Sequence, residues 1–225
     1  MASVFSSLSA LEQESVLASV MSAREWLRGR VLDMGCGDQP YARLITETST
    51  EYVGMDLSPE HTPKPHVCAD SLSLPFRSNS FDAVLSTQVL EHVRNPFAVF
   101  REISRVLKPS GYLVLTAPQL WPLHEEPHDY YRYTRYGLQE LALQHGLAVV
   151  RLEERSGGFT ALGQLAAVML NDLFGRRFVT RALTKAVVAP ALLCCRGLDR
   201  IIPYRKLTLG YLLVAQKNVS SEGNR

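Results

Sequence analysis

Short apolar runs recur along the chain and are separated by polar or turn-forming residues, a pattern typical of buried strands. The sixth run, Leu147–Glu153, follows Gly146, and the seventh comes only after a long interruption. The pattern predicts strands at Val31–Met34, Glu51–Leu57, His66–Ala69, Phe81–Thr87, Tyr112–Ala117, Leu147–Glu153 and Leu207–Gln216.

Between these runs, apolar residues recur at helical spacing and predict helices. Ser9 with Glu12 fits a capping box, and Asn95 followed by Pro96 fits a helix start. Strands that alternate with helices indicate an α/β, doubly wound, mostly parallel sheet. The predicted helices are Ser9–Leu27, Tyr41–Thr46, Asn95–Leu107 and Thr134–His145.

The segment 156–206 is longer than a plain connection between two strands. Its apolar runs fall short of the ~20 residues that cross a bilayer, so we predict no transmembrane segment. We expect one domain over 1–225, with 156–206 as a helical insertion and 218–225 as a disordered tail. The insertion is either a cap over a substrate site or an interfacial helix pair with arginines at anionic headgroups.

Composition excludes several classes of protein. With 46% hydrophobic and 20% charged residues the chain is an ordinary globular one, and a net charge of +2 does not suggest nucleic-acid binding. Its four cysteines show neither zinc spacing nor a disulfide framework. The start lacks a signal sequence, and we expect a cytoplasmic protein.

The stretch Val31–Pro40 is a strand that stops in a glycine turn. Such a turn lets the backbone approach a ligand, because glycine has no Cβ. Asp33, Asp56 and Asp70 fall at or near the ends of three predicted strands, where doubly wound sheets bind ligands. An acid about 20 residues beyond the turn is placed to accept hydrogen bonds from ribose hydroxyls.

A nicotinamide dinucleotide is the rival ligand for this turn. Its fingerprint needs a small residue where Pro40 stands, and Asp38 would repel a pyrophosphate. A ligand with a positive centre and no phosphates fits the acidic turn better.

These motifs together resemble the class I S-adenosylmethionine-dependent methyltransferases of the methyltransferase type 11 group. The resemblance covers Arg30 to Glu154, and Leu207–Gln216 resembles the final strand of that fold. It implies a Rossmann-like seven-stranded sheet in the order 3-2-1-4-5-7-6 with an antiparallel last strand. The motifs that carry it are DMGCG, VGMDLS, Asp70 before SLSLPF, FDAVLSTQVLEHV and LKPSGYLVLTAP.

The same resemblance implies S-adenosyl-L-methionine as the cofactor and assigns parts of its site. Asp33 with Gly35, Cys36 and Gly37 would hold the methionine end. Asp56 would bind the ribose, with Leu57 against the adenine. The remaining implied contacts are Asp70 and Ser71 at the adenine amino group and Thr87 and Gln88 near the methyl group.

The segment Leu123–Thr134, reading LHEEPHDYYRYT, follows the fifth strand and resembles a string common in this group. Transfer to a hydroxyl needs a base, and histidine titrates near working pH. The candidate bases are His124 and then His128, and the candidate substrate contacts are Tyr130, Tyr131 and Arg132. Alternatively, Asp129 pairs with Arg132 inside the loop and the tyrosines pack on the sheet.

Glu91 and His92 are weighed separately. In some quinone-type methyltransferases of similar pattern, an acid and a histidine in this region hold a divalent metal. Adjacent side chains diverge and no third ligand is evident from the sequence, so we assign no metal.

The function these observations predict is methyl transfer to a small-molecule or lipid-like acceptor, at oxygen. The alternatives are methylation at carbon or nitrogen, for example of a quinone precursor, and a non-catalytic cofactor-binding assembly protein. Peripheral membrane contact through 156–206 is left open, and the sequence does not predict the oligomeric state.

Overall fold

A seven-stranded sheet organises the computed structural model, which describes residues 10–174 and 178–219, with side chains for 11–173 and 187–219. The sheet order is β3-β2-β1-β4-β5-β7-β6. The strands are β1 Gly29–Met34, β2 Ser49–Asp56, β3 Val67–Cys68, β4 Phe81–Thr87, β5 Leu107–Pro118, β6 Leu147–Glu154 and β7 Gly210–Lys217.

The order and the antiparallel last strand confirm the prediction made from the resemblance. β7 runs antiparallel to both β5 and β6, and the remaining pairs are parallel. The carboxyl ends of β1, β2, β4, β5 and β6 therefore share one edge of the sheet, which we call the carboxyl edge.

Helices pack on both faces of the sheet. Asn95 caps α3 by accepting a hydrogen bond from the Ala98 N–H at 3.1 Å, as its sequence predicts. The helices are α1 Ala10–Ser22, α2 Ala42–Thr46, α3 Pro96–Val106, α4 Arg135–Gln144, α5 Gly158–Phe174 and α6 Phe178–Ile201.

Two apolar cores lie on the two faces of the sheet. One joins α3 and α4 to the sheet through Phe100, Ile103 and Leu138, all fully buried. The other joins α1 to the sheet through Val16 and Val20. A buried core on each face is what holds the carboxyl edge in one geometry.

Some element bounds differ from the sequence prediction. The first helix ends at Ser22, followed by a 3-10 turn, and its predicted start lies outside the described residues. β5 begins at Leu107, because that residue pairs with Phe81 ahead of a register shift. Of the predicted tail, 220–225 lie outside the described residues.

β7 starts three residues later than predicted, at Gly210. The reason is local: the Thr208 N–H donates to the Gln119 side chain and the Leu209 N–H to Ser156. These bonds hold the preceding backbone out of the sheet ladder.

The insertion forms the two helices α5 and α6, which pack against each other. Gly163 marks the close approach, since a Cβ there would lie 2.9 Å from Cys195 Sγ. Asp199 of α6 caps α5 by accepting the N–H groups of Phe159 and Thr160. No helix within 10–174 or 178–219 is long and apolar enough to cross a membrane.

Candidate active site

A cleft of about 750 Å³ opens at the carboxyl edge, between the glycine turn after β1 and the segments after β2, β3 and β4. The 123–134 segment supplies its far wall. Most of the predicted site residues meet there, although they are spread over about a hundred positions. Those that line the cleft are Gly35, Gly37, Asp56, Leu57, Asp70, Ser71, Gln88, His128 and Tyr130.

The glycine turn is held tightly on one side and open on the other. The N–H groups of Gly35 and Cys36 both donate to the Met55 carbonyl, at 2.8 and 3.0 Å. Gly35 has φ +74°, and a Cβ there would collide with Val89. At Gly37, φ +49°, a Cβ would meet nothing within 4 Å. The open side is a place where a ligand can lie against bare backbone.

Asp33 is buried directly beneath this turn. Tyr52 donates its hydroxyl to Asp33 Oδ2 at 2.8 Å, while Oδ1 has no partner among the described residues. Burial raises the pKa of this carboxyl to about 7, against the lowering effect of the Tyr52 bond. A buried acceptor without a donor is costly, so it fits a ligand that brings one, such as the amino group of a methionine.

Asp56 anchors the turn from β2. Its Oδ2 accepts the Gly37 N–H at 2.9 Å, and its Oδ1 accepts the Ser58 N–H at 3.1 Å. His61, which sequence reasoning missed, lies with Nε2 3.3 Å from Asp56 and Nδ1 3.1 Å from Asp38. Histidine thus joins two carboxylates at the predicted ribose position.

Asp38 also holds the proline-rich segment. Its Oδ1 accepts the Thr62 N–H at 3.0 Å, and this bond, with the His61 bond, lowers the pKa of the carboxyl. Asp38 therefore keeps a negative charge beside the turn, the position from which we expect it to repel a pyrophosphate.

The predicted adenine side is an exposed apolar surface next to an acid. Leu57 is 73% exposed and lines the cleft, as a side chain that awaits an apolar ligand would. Asp70 accepts the Leu72 N–H at 2.9 Å through one oxygen, which orients its carboxylate.

Two further predicted cofactor contacts lie outside the cleft lining, as Asp33 does. The Cys36 thiol is buried 3.1 Å from the Cβ position of Gly54, and burial raises its pKa to about 12. Only the backbone of Cys36 therefore serves the turn. Thr87 does not line the cleft.

Gln88 faces the cleft with φ +53° and connects it to the first helix. Its Nε2 donates to Glu12 at 3.2 Å, and Glu12 pairs with the fully buried Arg155 at 2.6 Å. Partners 76 and 143 residues apart leave no signal in local sequence.

The Arg132 guanidinium forms its hydrogen bonds within the 121–132 region of the chain. It donates to both Asp129 oxygens, at 2.5 and 2.7 Å, and to the carbonyls of Trp121 and Pro122. These bonds hold the pKa of Asp129 well below its usual range. The contacts match the local pairing considered above, rather than the predicted contact with substrate.

The tyrosines divide between the cleft and the loop. Tyr130 lines the cleft, and its hydroxyl lies 2.9 Å from His128 Nδ1 and 3.0 Å from Arg94 Nε. Tyr131 donates to the Arg94 carbonyl and lies outside the cleft lining.

His124 lies behind the cleft wall. Its Nδ1 is 3.2 Å from Asp129 Oδ2, and its ring stacks edge-on against His92 at 4.7 Å. His92 Nδ1 bonds the His128 carbonyl at 2.8 Å and lines the cleft. Among the described residues neither Nε2 atom has a backbone partner, and His92 Nε2 lies 3.9 Å from Glu91 and 3.8 Å from Glu125.

Glu91 belongs to the same group, and the position of His124 corrects our statement that no third ligand accompanies Glu91 and His92. Ligand atoms of Glu91, His92 and His124 lie within 4.8 Å of one another, a set that could hold a metal ion. Glu91 is fully buried with both oxygens unpartnered among the described residues, and burial raises its pKa to about 8.

Comparison with known proteins identifies similar sequences. Residues 32–115 match the model of a methyltransferase domain. The chain is 34% identical over 110 residues to a ubiquinone biosynthesis O-methyltransferase of Xanthomonas oryzae pv. oryzae, covering 43% of this chain and 46% of that protein. An uncharacterised methyltransferase of Mycolicibacterium gilvum is 32% identical over 135 residues, 56% and 48% of the two chains.

Solved structures share the fold. The [4+2]-cyclase SpnF superposes with a TM-score of 0.62 at 23% identity, covering 93% of this chain and 82% of that one. A putative sarcosine dimethylglycine methyltransferase from Galdieria sulphuraria gives 0.60 at 19%, covering 92% and 86%. At these identities the likeness concerns the fold, and the chain spans about half the length of the curated relatives it matches.

Proposed function

We propose that this chain, a member of the class I S-adenosylmethionine-dependent methyltransferases of the type 11 group, transfers a methyl group to an oxygen of a small-molecule or lipid-like acceptor. The observation that carries the proposal is the composition of the two cleft walls. One wall presents the glycine turn and the strand-end acids Asp56 and Asp70, with Asp33 buried outside the lining, and the other presents the histidine-bearing segment.

The residues of the first wall fit S-adenosylmethionine. The unpartnered Asp33 Oδ1 and the open side of Gly37 suit the amino-acid end, and Asp56 and Leu57 suit the nucleoside end. When bound, this cofactor supplies a methyl group activated by a sulfonium. The protein's task is to position an acceptor in line, which can supply several kcal/mol of the barrier.

The second wall supports a hydroxyl acceptor, because it offers histidines as bases. His128 lines the cleft with one ring nitrogen at the Tyr130 hydroxyl. His124 lies outside the cleft lining, and its Nδ1 is 3.2 Å from both Asp129 and the Pro122 carbonyl, so Nε2 is the nitrogen that would accept a proton. We propose these two as the base candidates, and Tyr130 as an acceptor contact.

A binding measurement and a transfer measurement test the proposal separately. Isothermal titration should detect S-adenosylmethionine and S-adenosylhomocysteine, and Asp33→Asn with Asp56→Asn should weaken both at least tenfold. Labelled cofactor should then methylate a component of a lipid-containing metabolite extract. Absence of cofactor binding by the unaltered chain would overturn the proposal.

The base assignment has its own test. His124→Ala and His128→Ala are compared with His145→Ala; the His145 ring, at the end of α4, lies 6.0 Å from the Phe100 ring and does not line the cleft. A base variant should lose 10²- to 10⁴-fold in turnover while still binding cofactor. If both loop variants retain full turnover, neither histidine is the base.

A second candidate function is a reaction other than methyl transfer, or cofactor binding without catalysis. The likeness to a [4+2]-cyclase favours keeping it, since one fold hosts different chemistries. Cofactor binding with no labelled product in any extract would support this candidate. A labelled product methylated at carbon or nitrogen would instead keep the enzyme class and change the acceptor atom.

A further inference from the structure

The helical hairpin α5–α6 presents apolar stripes away from the domain. On α5 the exposed residues Leu162, Ala166, Met169 and Leu173 recur at helical spacing on one face. The opposite side of that helix is buried, with Ala167 in the hairpin core.

α6 repeats the arrangement. Val188 and Leu192 face the hairpin core and Leu11 of α1. The other side carries Leu193 and Ile201, which are 67% and 78% exposed. A chain that buries its sheet thoroughly gains nothing from leaving two such stripes in water, and contiguous exposed apolar surface marks an interaction site.

The charge of the hairpin segment indicates what binds to these apolar stripes. Residues 156–206 contain eight Lys or Arg and two Asp or Glu, a net charge of +6, whereas the other residues contain 16 and 20, a net charge of −4. Arg196 and Arg200 are exposed and four residues apart, along one edge of the α6 stripe; Arg196 pairs with Glu14 at 3.1 Å, so Arg200 is the arginine of the two that is offered to a headgroup. A second copy of this basic hairpin would be repelled, and an anionic lipid surface would be attracted.

The hairpin also lies at the carboxyl edge. β6 runs parallel to β5 and leads into α5, so α5 begins at the same edge as the cleft. The Gly158 N–H donates to the Tyr204 carbonyl at 2.8 Å, which brings the end of the hairpin back to its beginning there. A surface that touches the hairpin is therefore close to the cleft.

We propose that the α5–α6 hairpin docks the protein on anionic membrane surfaces, with the apolar stripes at the acyl boundary and Arg200 at the headgroups. Docking is independent of methyl transfer. It would bring the carboxyl edge to the bilayer, where a lipid-like molecule is available.

Vesicle flotation of the full chain tests the proposal. Vesicles of equal parts phosphatidylcholine and phosphatidylglycerol should carry the protein at low salt, and phosphatidylcholine alone should carry it weakly. Leu193→Asp with Ile201→Asp should lower binding at least tenfold. The matched control is Leu143→Asp with Val150→Asp, at residues exposed to about half on α4 and β6; it should bind like the unaltered protein.

Charge reversal tests the headgroup contact. Arg200→Glu should lower binding to the anionic vesicles at least fivefold, since each basic residue near such a surface contributes about fivefold. Arg101→Glu, exposed on α3, should have little effect. The proposal is overturned if the unaltered chain does not float, or if the controls lose as much. A third outcome also overturns it: the lipid-free protein is a dimer, Leu193→Asp with Ile201→Asp dissociates that dimer, and vesicles bind neither the unaltered protein nor the variant.

Discussion

Two buried carboxylates at the carboxyl edge have opposite surroundings. Asp129, in the 123–134 segment, accepts two hydrogen bonds from Arg132 and one from the His124 N–H. The His124 ring nitrogen Nδ1 also lies 3.2 Å from it. Asp33, below the glycine turn, has a single donor and an oxygen without any among the described residues. The described residues supply hydrogen-bond donors to both oxygens of Asp129 but to only one oxygen of Asp33. Asp33 therefore indicates where a ligand can bind, whereas Asp129 stabilises the folded 123–134 segment.

The largest expected effect concerns the Asp129–Arg132 pair. Arg132→Ala removes the only arginine that the described residues place on Asp129 and leaves this carboxylate with its His124 contacts alone, which should lower the free energy of unfolding by about 3–5 kcal/mol. Urea denaturation measures it. Arg196→Ala, which removes an exposed pair with Glu14, should cost less than about 1 kcal/mol. Equal losses in the two variants would show that Asp129 does not depend on its partner.

The ionisation of Asp33 should make the stability of the ligand-free protein depend on pH. The pKa of Asp33 is raised to about 7 in the folded state, so folding favours its protonated form and this contribution is lost as pH rises above the unfolded value. Between pH 5 and pH 8 the ligand-free protein should lose about 3 kcal/mol of unfolding free energy through Asp33. Asp33→Asn should remove that part of the slope in urea titrations at both pH values. An unchanged slope would contradict a raised pKa.

The two glycines of the turn separate packing from ligand contact. Gly35→Ala combines a left-handed backbone with a collision at Val89 and should cost about 2–4 kcal/mol of stability. Gly37→Ala has the strain without the collision and should cost about 1 kcal/mol. It should nevertheless weaken S-adenosylhomocysteine binding measured by titration, because its methyl group projects into the open side. The comparison fails if Gly37→Ala binds normally.

The smallest effect concerns the adenine side. Leu57→Ala should leave thermal unfolding unchanged, since the side chain is exposed, and weaken cofactor binding about fivefold, or ~1 kcal/mol, by removing apolar contact. Leu123→Ala is matched to it, with 71% exposure outside the cleft lining, and should bind cofactor normally. Equal binding by the two variants would place the adenine elsewhere.

The sequence predicted what local pattern and a specific motif string determine. The strands, the turn at Gly35 and the acids at strand ends follow from apolar period and glycine spacing. The strand order came from the resemblance, since no local pattern shows that β7 lies between β5 and β6.

Contacts between distant segments could not be predicted. The approach of His124 to His92, 32 positions away, depends on the path of the 123–134 segment, which Arg132 fixes through backbone carbonyls. The bond from Gln88 to Glu12 likewise needs the packing of α1 on the sheet. Such bonds depend on tertiary packing, and residue type alone does not reveal them.

The late position of β7 in the chain has a consequence for synthesis. β6 pairs only with β7 among the described strands, and β7 is completed at Lys217. During synthesis the strand pairs among β3, β2, β1, β4 and β5 can form before β7 is made, whereas β6 has no described strand to pair with until β7 follows. The glycine turn can therefore form before the sheet is complete, whereas the sheet edge that carries β6 is completed only when β7 pairs with β5 and β6.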